Sequence, residues 1–193
     1  MRLVVATRNE HKLRELAALF DGHELTPLPV EVMLPPETGT TFAANAIVKA
    51  RTAATATGLP ALADDSGIEA AALGGAPGVR SARFAGDNAT DQENLTQLLR
   101  EVPSAGDRRV AYVCALAYIE PGGREDVVHG RCDGLLADHP RGTGGFGYDP
   151  GFLPVEHPGR TMAELSPAEK DEISHRGRAA RSLAARLRER GDR

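Results

Sequence analysis

The sequence feature that most constrains the fold is a pair of adjacent aspartates inside an otherwise apolar stretch, Leu62–Glu69. Asp64 and Asp65 follow a short apolar segment, and a serine and a glycine precede a second apolar segment. Neighbouring carboxylates repel each other, and burying them without a partner is costly. We therefore expect a cation to meet them, and Mg²⁺ is the simplest one because it prefers hard oxygen ligands. A polar turn between two strands is the alternative, since Asp, Ser and Gly are favoured in turns.

Composition and charge restrict the class of protein. The 193 residues suffice for one domain, or for two lobes that share a sheet. The net charge of −4 argues against general affinity for nucleic acid, and an acidic protein that binds an anion usually recruits a cation. The longest apolar run, residues 110–119, is far shorter than the ~20 residues of a membrane span. We find no targeting segment and interpret the two cysteines as reduced core residues, which predicts a cytoplasmic protein.

The first elements of the chain are predicted to be a strand, a polar turn and a helix. Leu3–Ala6 is typical of a buried strand, and apolar residues then recur at helical spacing from Leu13 to Phe20. A turn that enters a helix presents backbone N–H groups and the positive end of the helix dipole, which suits an anion. Residues Thr7–Lys12 therefore form a candidate phosphate turn. Ordinary helix capping beside a solvated lysine is the alternative.

The middle of the chain predicts a long helix and further regular elements. The helix opens at Thr41, stops at Gly58, and places Asn45 and Lys49 on a shared face because they are four residues apart. Asn45 is expected to bind either substrate or a neighbouring loop. Two strands are predicted at residues 110–119 and Glu125–Leu136. Two capping boxes, Thr90–Glu93 and Ser166–Glu169, each predict the start of a helix.

A glycine-rich loop and a cationic segment are the last unusual features. Four glycines and two aromatic residues fall within Gly142–Pro150, which suits a backbone that approaches a ligand while a ring stacks on it. A structural turn plugged by aromatic rings is the alternative. Lys170 lies in the first turn of its helix, where cations are disfavoured, and this mismatch suggests a role. His175 and Arg176 follow where Ser174 interrupts the helix.

Taken together, these features favour a nucleoside triphosphate as the substrate. An anion turn, lysines and Mg²⁺ ligands suit the phosphates, and the glycine-aromatic loop suits a base. The sequence contains neither the glycine-rich lysine motif of P-loop enzymes nor a nucleophile elbow. Paired carboxylates without a Ser or Cys nucleophile then favour attack on phosphorus by a metal-activated water.

The motifs, in this order and spacing, resemble the inosine/xanthosine triphosphate pyrophosphatase family, which hydrolyses noncanonical purine nucleotides. The resemblance covers nearly the whole chain and rests on Thr7–Lys12, Thr41–Ala46, Ala63–Gly67, Leu73–Gly78, Gly145–Pro150 and Ser174–Arg176. It implies an α/β fold with an elongated mixed β-sheet flanked by helices, in a single domain (residues 1–193) of two lobes around an active-site cleft. It also implies cleavage between the α and β phosphates, release of pyrophosphate, a requirement for Mg²⁺, and a homodimer.

The resemblance assigns roles residue by residue. Asp65 would be the general base and a metal ligand, and Glu37 would be the other ligand of Mg²⁺. The triphosphate would be held by Thr7, Arg8, Asn9, Glu10, His11 and Lys12. The remaining substrate contacts would be Ser66, Phe146, Gly147, Tyr148, Asp149, Lys170, His175 and Arg176.

Two positions depart from the family pattern. Arg8 stands where a small residue is frequent, which adds a charge near the phosphates, and Ala44 stands where a glutamate often precedes Asn45, so no ligand is assigned there. The role of Asp64 stays open. Two alternative functions also remain, a Maf-like nucleotide pyrophosphatase of other base specificity and a nucleotide-binding module without activity.

Overall fold

The computed structural model describes residues 1–20 and 22–191, whose strands form one sheet in the order β2-β1-β3-β4-β5-β6. The strands are β1 (Arg2–Val5), β2 (Glu24–Pro27), β3 (Ala61–Ala70), β4 (Arg109–Ile119), β5 (Glu125–Leu136) and β6 (Phe152–Pro154). The helices are α1 (Glu10–Leu19), α2 (Phe42–Thr57), α3 (Asp91–Glu101), α4 (Pro167–Ile173) and α5 (His175–Gly191). The first strand pairs in parallel with β2 and β3, whereas β5 and β6 are antiparallel. The predicted α/β fold with a mixed, helix-flanked sheet is confirmed.

The chain divides into two compact units. The first unit contains Met1–Asp65, Cys114–Gly130 and the chain from Arg176 onward, and the second contains Ser66–Val113 and Arg131–His175. Each unit has its own cluster of buried apolar side chains. Among the described helices, none combines the length and the apolar composition that crossing a membrane requires. The organisation of the units as one functional domain stays a prediction.

The core of the first unit lies between the sheet and the helices α1 and α5. Leu62 of β3 belongs to this core together with Leu16 of α1 and Leu183 of α5, and all three are fully buried. Side chains alternate between the two faces of a strand. Asp64, two residues after Leu62, therefore points towards the face that α1 and α5 cover.

Helix α2 begins and ends where the sequence predicts. The Thr41 hydroxyl accepts a hydrogen bond from the Ala44 N–H at 3.1 Å, and Gly58 ends the helix in the left-handed conformation with φ 66°. The buried apolar residues of the helix are mostly small: Phe42, Ala46, Ala50, Ala53 and Ala54. Alanines let the helix backbone approach the sheet closely, so the longer buried side chains of Asn45 and Lys49 reach β3.

The course of β3 corrects the interpretation of the aspartate pair. Asp64 and Asp65 do not end a strand or form a turn, because Ala61–Ala70 is one continuous strand and the two residues lie in its middle. As neighbours on a strand they point to opposite faces. The carboxylates therefore have different partners, and the repulsion expected from their adjacency is reduced.

The second unit is built around the later part of β3 and around α3 and α4. Its core includes Ile68, Leu98 and Phe152, which are fully buried. Both predicted capping boxes are present. Thr90 and Glu93 form the one that opens α3, and Ser166 and Glu169 form the one that opens α4.

Glu169 is expected to stabilise the fold in a manner that depends on pH. Its ion pair with Arg160 at 2.8 Å and its hydrogen bonds with Ser166 lower its pKa from 4.5 to about 2. Because the folded-state pKa is depressed, this stabilisation is complete above the unfolded pKa of 4.5 and is lost as the pH falls towards 2. We expect Glu169→Gln to lower the melting temperature at pH 7 and this difference to vanish near pH 2. Glu31→Gln, at an exposed carboxylate, is the control, and a difference independent of pH contradicts the ionic origin.

Candidate active site

Asp64 lies at the centre of a buried ion-pair cluster in the first unit. Its Oδ2 atom is 3.0 Å from the Lys12 ammonium and accepts hydrogen bonds from Arg176 Nη2 at 2.9 Å and Nε at 3.2 Å. Burial alone would raise the pKa of Asp64, but the nearby charges of Lys12 and Arg176 hold that pKa far below its ordinary value. Asp64 is therefore ionised, and it fixes the positions of two cations. This supplies the role that the sequence left open.

Arg176 is held by two carboxylates. Only 1% of the residue is exposed, and its Nη1 atom donates a hydrogen bond to Glu15 of α1. Burial lowers the pKa of Arg176, but Asp64 and Glu15 outweigh this effect and raise it, so the guanidinium keeps its charge. The assignment of Arg176 as a substrate contact stays a prediction.

The turn before α1 combines capping with one buried cation. Asn9 caps the helix, since its Oδ1 atom accepts hydrogen bonds from the N–H groups of His11 at 2.9 Å and Lys12 at 3.1 Å. The Thr7 hydroxyl accepts one from the Asn9 N–H at 3.1 Å. The capping part of the alternative interpretation is thus correct, but the solvated lysine is wrong, because only 17% of the Lys12 side chain is exposed. Within this turn, Lys12 is the residue that joins the Asp64 cluster.

Asp65 points to the opposite side of β3 and is held by α2. Its Oδ2 atom accepts a hydrogen bond from Asn45 Nδ2 at 2.8 Å, and its Oδ1 atom lies 4.0 Å from Lys49 Nζ. Burial raises the pKa of Asp65, and the opposing effects of Lys49 and the Asn45 hydrogen bond do not cancel this rise. Asp65 is therefore a better proton acceptor than an exposed aspartate.

Glu37 and Asp65 converge on one ammonium group. Lys49 Nζ lies 2.5 Å from Glu37 Oε1 and donates a hydrogen bond to the Asp64 carbonyl at 2.8 Å. Burial lowers the pKa of Lys49, but Asp64, Glu37 and Asp65 together raise it, so a positive charge sits beside these carboxylates. A cavity of about 110 Å³ lined by Glu37, Asn45 and Lys49 adjoins them.

This donor set fits a magnesium ion. Among residues 1–20 and 22–191 no group of three or more His, Cys, Asp or Glu side chains is arranged to hold a metal. Mg²⁺ does not need such a group, because it is commonly bound by one or two carboxylates together with water and substrate phosphates. Glu37 and Asp65, already attracted to a shared cation, are suitable ligands of that kind.

A second cluster of predicted residues surrounds Asp149 in the second unit. Asp149 is 3% exposed, and its carboxylate accepts hydrogen bonds from Lys170 Nζ at 2.7 Å, the Phe146 N–H at 2.9 Å and the Tyr112 hydroxyl at 3.0 Å. The Lys170 ammonium also lies 4.7 Å from the centroid of the Phe146 ring, within the range of a cation–π interaction. Because α4 has only 7 residues, Lys170 belongs to its last turn, so the expected mismatch with the start of the helix is wrong. The ammonium group instead neutralises Asp149.

The glycines of the loop allow this arrangement. Gly145 has φ 69°, and a Cβ atom there would clash with the Asp149 carboxylate. The Gly147 N–H donates a hydrogen bond to Asp91 at 2.7 Å. Tyr148 is buried, and its hydroxyl donates a hydrogen bond to the Ser81 carbonyl at 2.7 Å. The ring of Tyr148 therefore packs inside the protein, as expected for a structural turn filled by aromatic rings.

Tyr112, which donates a hydrogen bond to Asp149, also packs against His175. Their rings are stacked, with centroids 4.6 Å apart and an angle of 10° between the planes. Burial and the neighbouring Asp149 carboxylate raise the pKa of Tyr112 well above its ordinary value, so its hydroxyl remains a hydrogen-bond donor. This stacking fixes the orientation of the imidazole ring of His175.

Comparison with known proteins decides the family. The model of the Ham1 family matches residues 3–186. The chain belongs to the Ham1 family. A protein of Geobacter sulfurreducens named dITP/XTP pyrophosphatase is 50% identical over 192 residues, covering 96% of each chain.

Solved structures of Ham1 proteins are similar over their whole length. The Coxiella burnetii HAM1 protein has a TM-score of 0.86 at 45% identity, with 98% of this chain and 99% of that chain covered. The Staphylococcus aureus Ham1 protein has a TM-score of 0.87 at 37% identity, with both chains covered completely (100%). The resemblance inferred from the sequence motifs is therefore confirmed.

The structure of this Ham1 chain adds three residues that sequence reasoning did not assign to the site. Lys49 lies between the carboxylates of Glu37 and Asp65. The sequence signal that could have identified it is its spacing of four residues from Asn45, which places both on one face of α2. Glu15 holds Arg176 and is three residues after Lys12 on α1, which places both on one helix face. Tyr112 carries no such signal, because it lies within a continuous apolar strand. The roles assigned to Ser66, Glu10 and His11 stay predictions.

Proposed function

We propose that the protein hydrolyses noncanonical purine nucleoside triphosphates, namely ITP, dITP and XTP, to the monophosphate and pyrophosphate, which clears them from the nucleotide pool. The observation that carries the proposal is Asp65, a buried carboxylate of raised pKa held by Asn45 beside Glu37. It occurs in a chain that is 50% identical to a dITP/XTP pyrophosphatase.

Asp65 is the general base of the proposed reaction. It orients the attacking water and accepts its proton, and this role requires a carboxylate whose proton affinity is raised but which is ionised near neutral pH. The Asn45 amide donates a hydrogen bond to Oδ2 and thereby fixes the plane of the carboxylate. A thiol nucleophile is disfavoured, because burial raises the pKa of Cys114 to about 12.

Glu37 and Asp65 are the proposed ligands of Mg²⁺. The bound ion would offset the charge of the phosphates and lower the pKa of a coordinated water. Lys49 keeps the two carboxylates close together through its contacts with both. Lys12, which Asp64 holds in place, is the proposed cation for the triphosphate. The other proposed contacts from the same turn are Thr7, Asn9, Glu10 and His11.

The Asp149 cluster supplies the proposed contacts to the base. Phe146 offers a half-buried ring for stacking, and Asp149 fixes Lys170 beside this ring. His175 is fixed by its stacking on Tyr112. Hypoxanthine and xanthine carry an acceptor at the six position, where adenine carries a donor. A fixed donor such as Arg176 or a backbone N–H therefore rejects adenine, because buried groups would be left unpaired. Ser66, Gly147 and Tyr148 are the other proposed contacts.

The finer properties of the protein are proposed on the same basis. We infer a homodimer that functions in the cytoplasm, without nucleic-acid or membrane partners. The net charge of −4 supports the lack of a nucleic-acid partner, and the family resemblance supports the dimer.

Release of pyrophosphate from ITP tests the proposed function. We expect hydrolysis with Mg²⁺, its loss when EDTA removes the metal, and its recovery when excess Mg²⁺ is added. We also expect kcat/KM for ITP and XTP to exceed that for ATP by at least about 100-fold, since a site built around a fixed donor rejects a base that lacks the acceptor. The measurement is a coupled pyrophosphate assay across the triphosphates of inosine, xanthosine, guanosine and adenosine.

The same assay separates the alternatives. Preferential hydrolysis of pyrimidine or standard nucleotides would support a Maf-like specificity. Tight binding of ITP without product would support an inactive nucleotide-binding module. Equal kcat/KM for all four purine triphosphates would contradict the specificity, but not the hydrolase.

A further inference from the structure

Arg8 binds an unusual number of backbone oxygens. Its Nη1 atom donates to the Leu28 carbonyl at 2.8 Å, and its Nη2 atom donates to the carbonyls of Pro29 and Val32 at 2.8 Å each and Val30 at 3.3 Å. The planar fork of a guanidinium can serve several acceptors at once, whereas an ammonium group acts as a compact point charge. The Arg8 side chain, in the turn before α1, thus binds several carbonyls of the segment of residues 28–32.

That segment opens a long loop with few stabilising contacts of its own. Residues 28–41 contain no helix or strand, and loops of this length without secondary structure are commonly functional. Several prolines deprive the loop of N–H donors. Leu28 at the start of the loop is buried, but Val30 is 87% exposed and Met33 is 81% exposed, so burial does little to hold this middle part of the loop in place.

The far end of the loop carries Glu37 and is attached to α2. The Gly39 N–H donates to Asn45 Oδ1 at 2.8 Å, and the Glu37 carboxylate contacts Lys49. Arg8 holds the near end and these residues hold the far end. Short turns order part of the backbone of this loop, such as the bond from the Thr38 N–H to the Pro36 carbonyl at 3.0 Å.

We propose that Arg8 is a positioning residue, which fastens the loop of residues 28–41 to the start of α1 and so holds Glu37 where it can bind the metal. The proposal rests on the proposed function of Glu37 as a ligand. It gives Arg8 a role different from direct contact with the triphosphate. Its guanidinium donors are directed at carbonyl oxygens, and a side chain committed to those oxygens is less available to an anion.

Hydrogen exchange of the loop amides tests the positioning role without any nucleotide or metal. We expect the amides of Val32, Thr38 and Gly39 to exchange about 10-fold faster in Arg8→Ala than in the parent, because local opening loses its charged hydrogen bonds. Arg8→Lys is expected to behave like Arg8→Ala, since the compact ammonium group lacks the two terminal nitrogens with which the guanidinium reaches these carbonyls. Arg2→Ala, which removes an exposed charge from β1, is the matched control and is expected to leave the three amides unchanged. Faster exchange confined to Val32, or no change, overturns the proposal.

The Mg²⁺ dependence of hydrolysis gives a second readout. If Arg8 acts through Glu37, both Arg8 variants raise the Mg²⁺ concentration needed for half-maximal ITP hydrolysis several-fold, while KM for ITP at saturating Mg²⁺ changes little. Direct phosphate contact has the opposite result, a raised KM at every Mg²⁺ concentration that Arg8→Lys partly restores, and this overturns the proposal. If the parent protein does not hydrolyse ITP, the proposed function fails, and the exchange data still decide whether Arg8 holds the loop.

Discussion

Asp65→Asn is expected to lower kcat by about 10²- to 10⁴-fold while leaving nucleotide binding largely intact. Asparagine has nearly the same size and retains an oxygen for the Asn45 amide, so the local packing is preserved. It cannot accept a proton, and it is a weaker ligand for a hard cation. Since the lost interaction belongs to the transition state, kcat and kcat/KM fall together.

Two measurements separate this loss from a loss of binding. Single-turnover pyrophosphate release gives the chemical step, and calorimetric titration with an ITP analogue that has an imido group between the α and β phosphates gives affinity. Asp138→Asn removes the same charge from a side chain that is 72% exposed, and we expect it to retain parental activity. Turnover of Asp65→Asn at the parental rate would show that another group accepts the proton.

Local features of this fold could be predicted because they depend on residues within one helical turn. Thr41 and Gly58 bound α2, and the capping boxes at Thr90 and Ser166 form as their spacing indicates. Each needs only a side-chain oxygen and a backbone N–H three positions away, or a left-handed glycine. Such contacts depend little on the tertiary packing of the rest of the chain.

The aspartate pair shows where local reasoning fails. Asp-Asp-Ser-Gly is a favourable turn sequence, yet tertiary contacts place it inside β3. One of the two cations beside Asp64 is Arg176, 112 positions away in the sequence, and no local pattern could identify that partner. Family resemblance assigned roles to Asp65 and Glu37, which stay predictions, but assigned none to Lys49 between them, because that contact depends on how α2 packs against β3.

Asp64→Ala is expected to destabilise the protein by about 3–5 kcal/mol, the cost of removing one partner from a buried ion pair. The Asp64 side chain is fully buried, and the Arg176 side chain beside it is only 2% exposed. Without Asp64, the guanidinium keeps Glu15 but loses two hydrogen bonds and most of its charge compensation. A loss of this size lowers the melting temperature of a domain of this length by roughly 10 °C.

A double variant shows whether the unpaired charge is the cause. We expect Asp64→Ala combined with Arg176→Met to recover much of the stability lost in Asp64→Ala, because it removes the buried cation together with its partner. Asp107→Ala, which breaks an exposed pair with Arg109, is the control and should leave the melting temperature almost unchanged. If Asp64→Ala gives no soluble protein, Asp64→Asn replaces it in the same comparison. A double variant no more stable than the single one would mean that Asp64 contributes through packing or Lys12 rather than through Arg176.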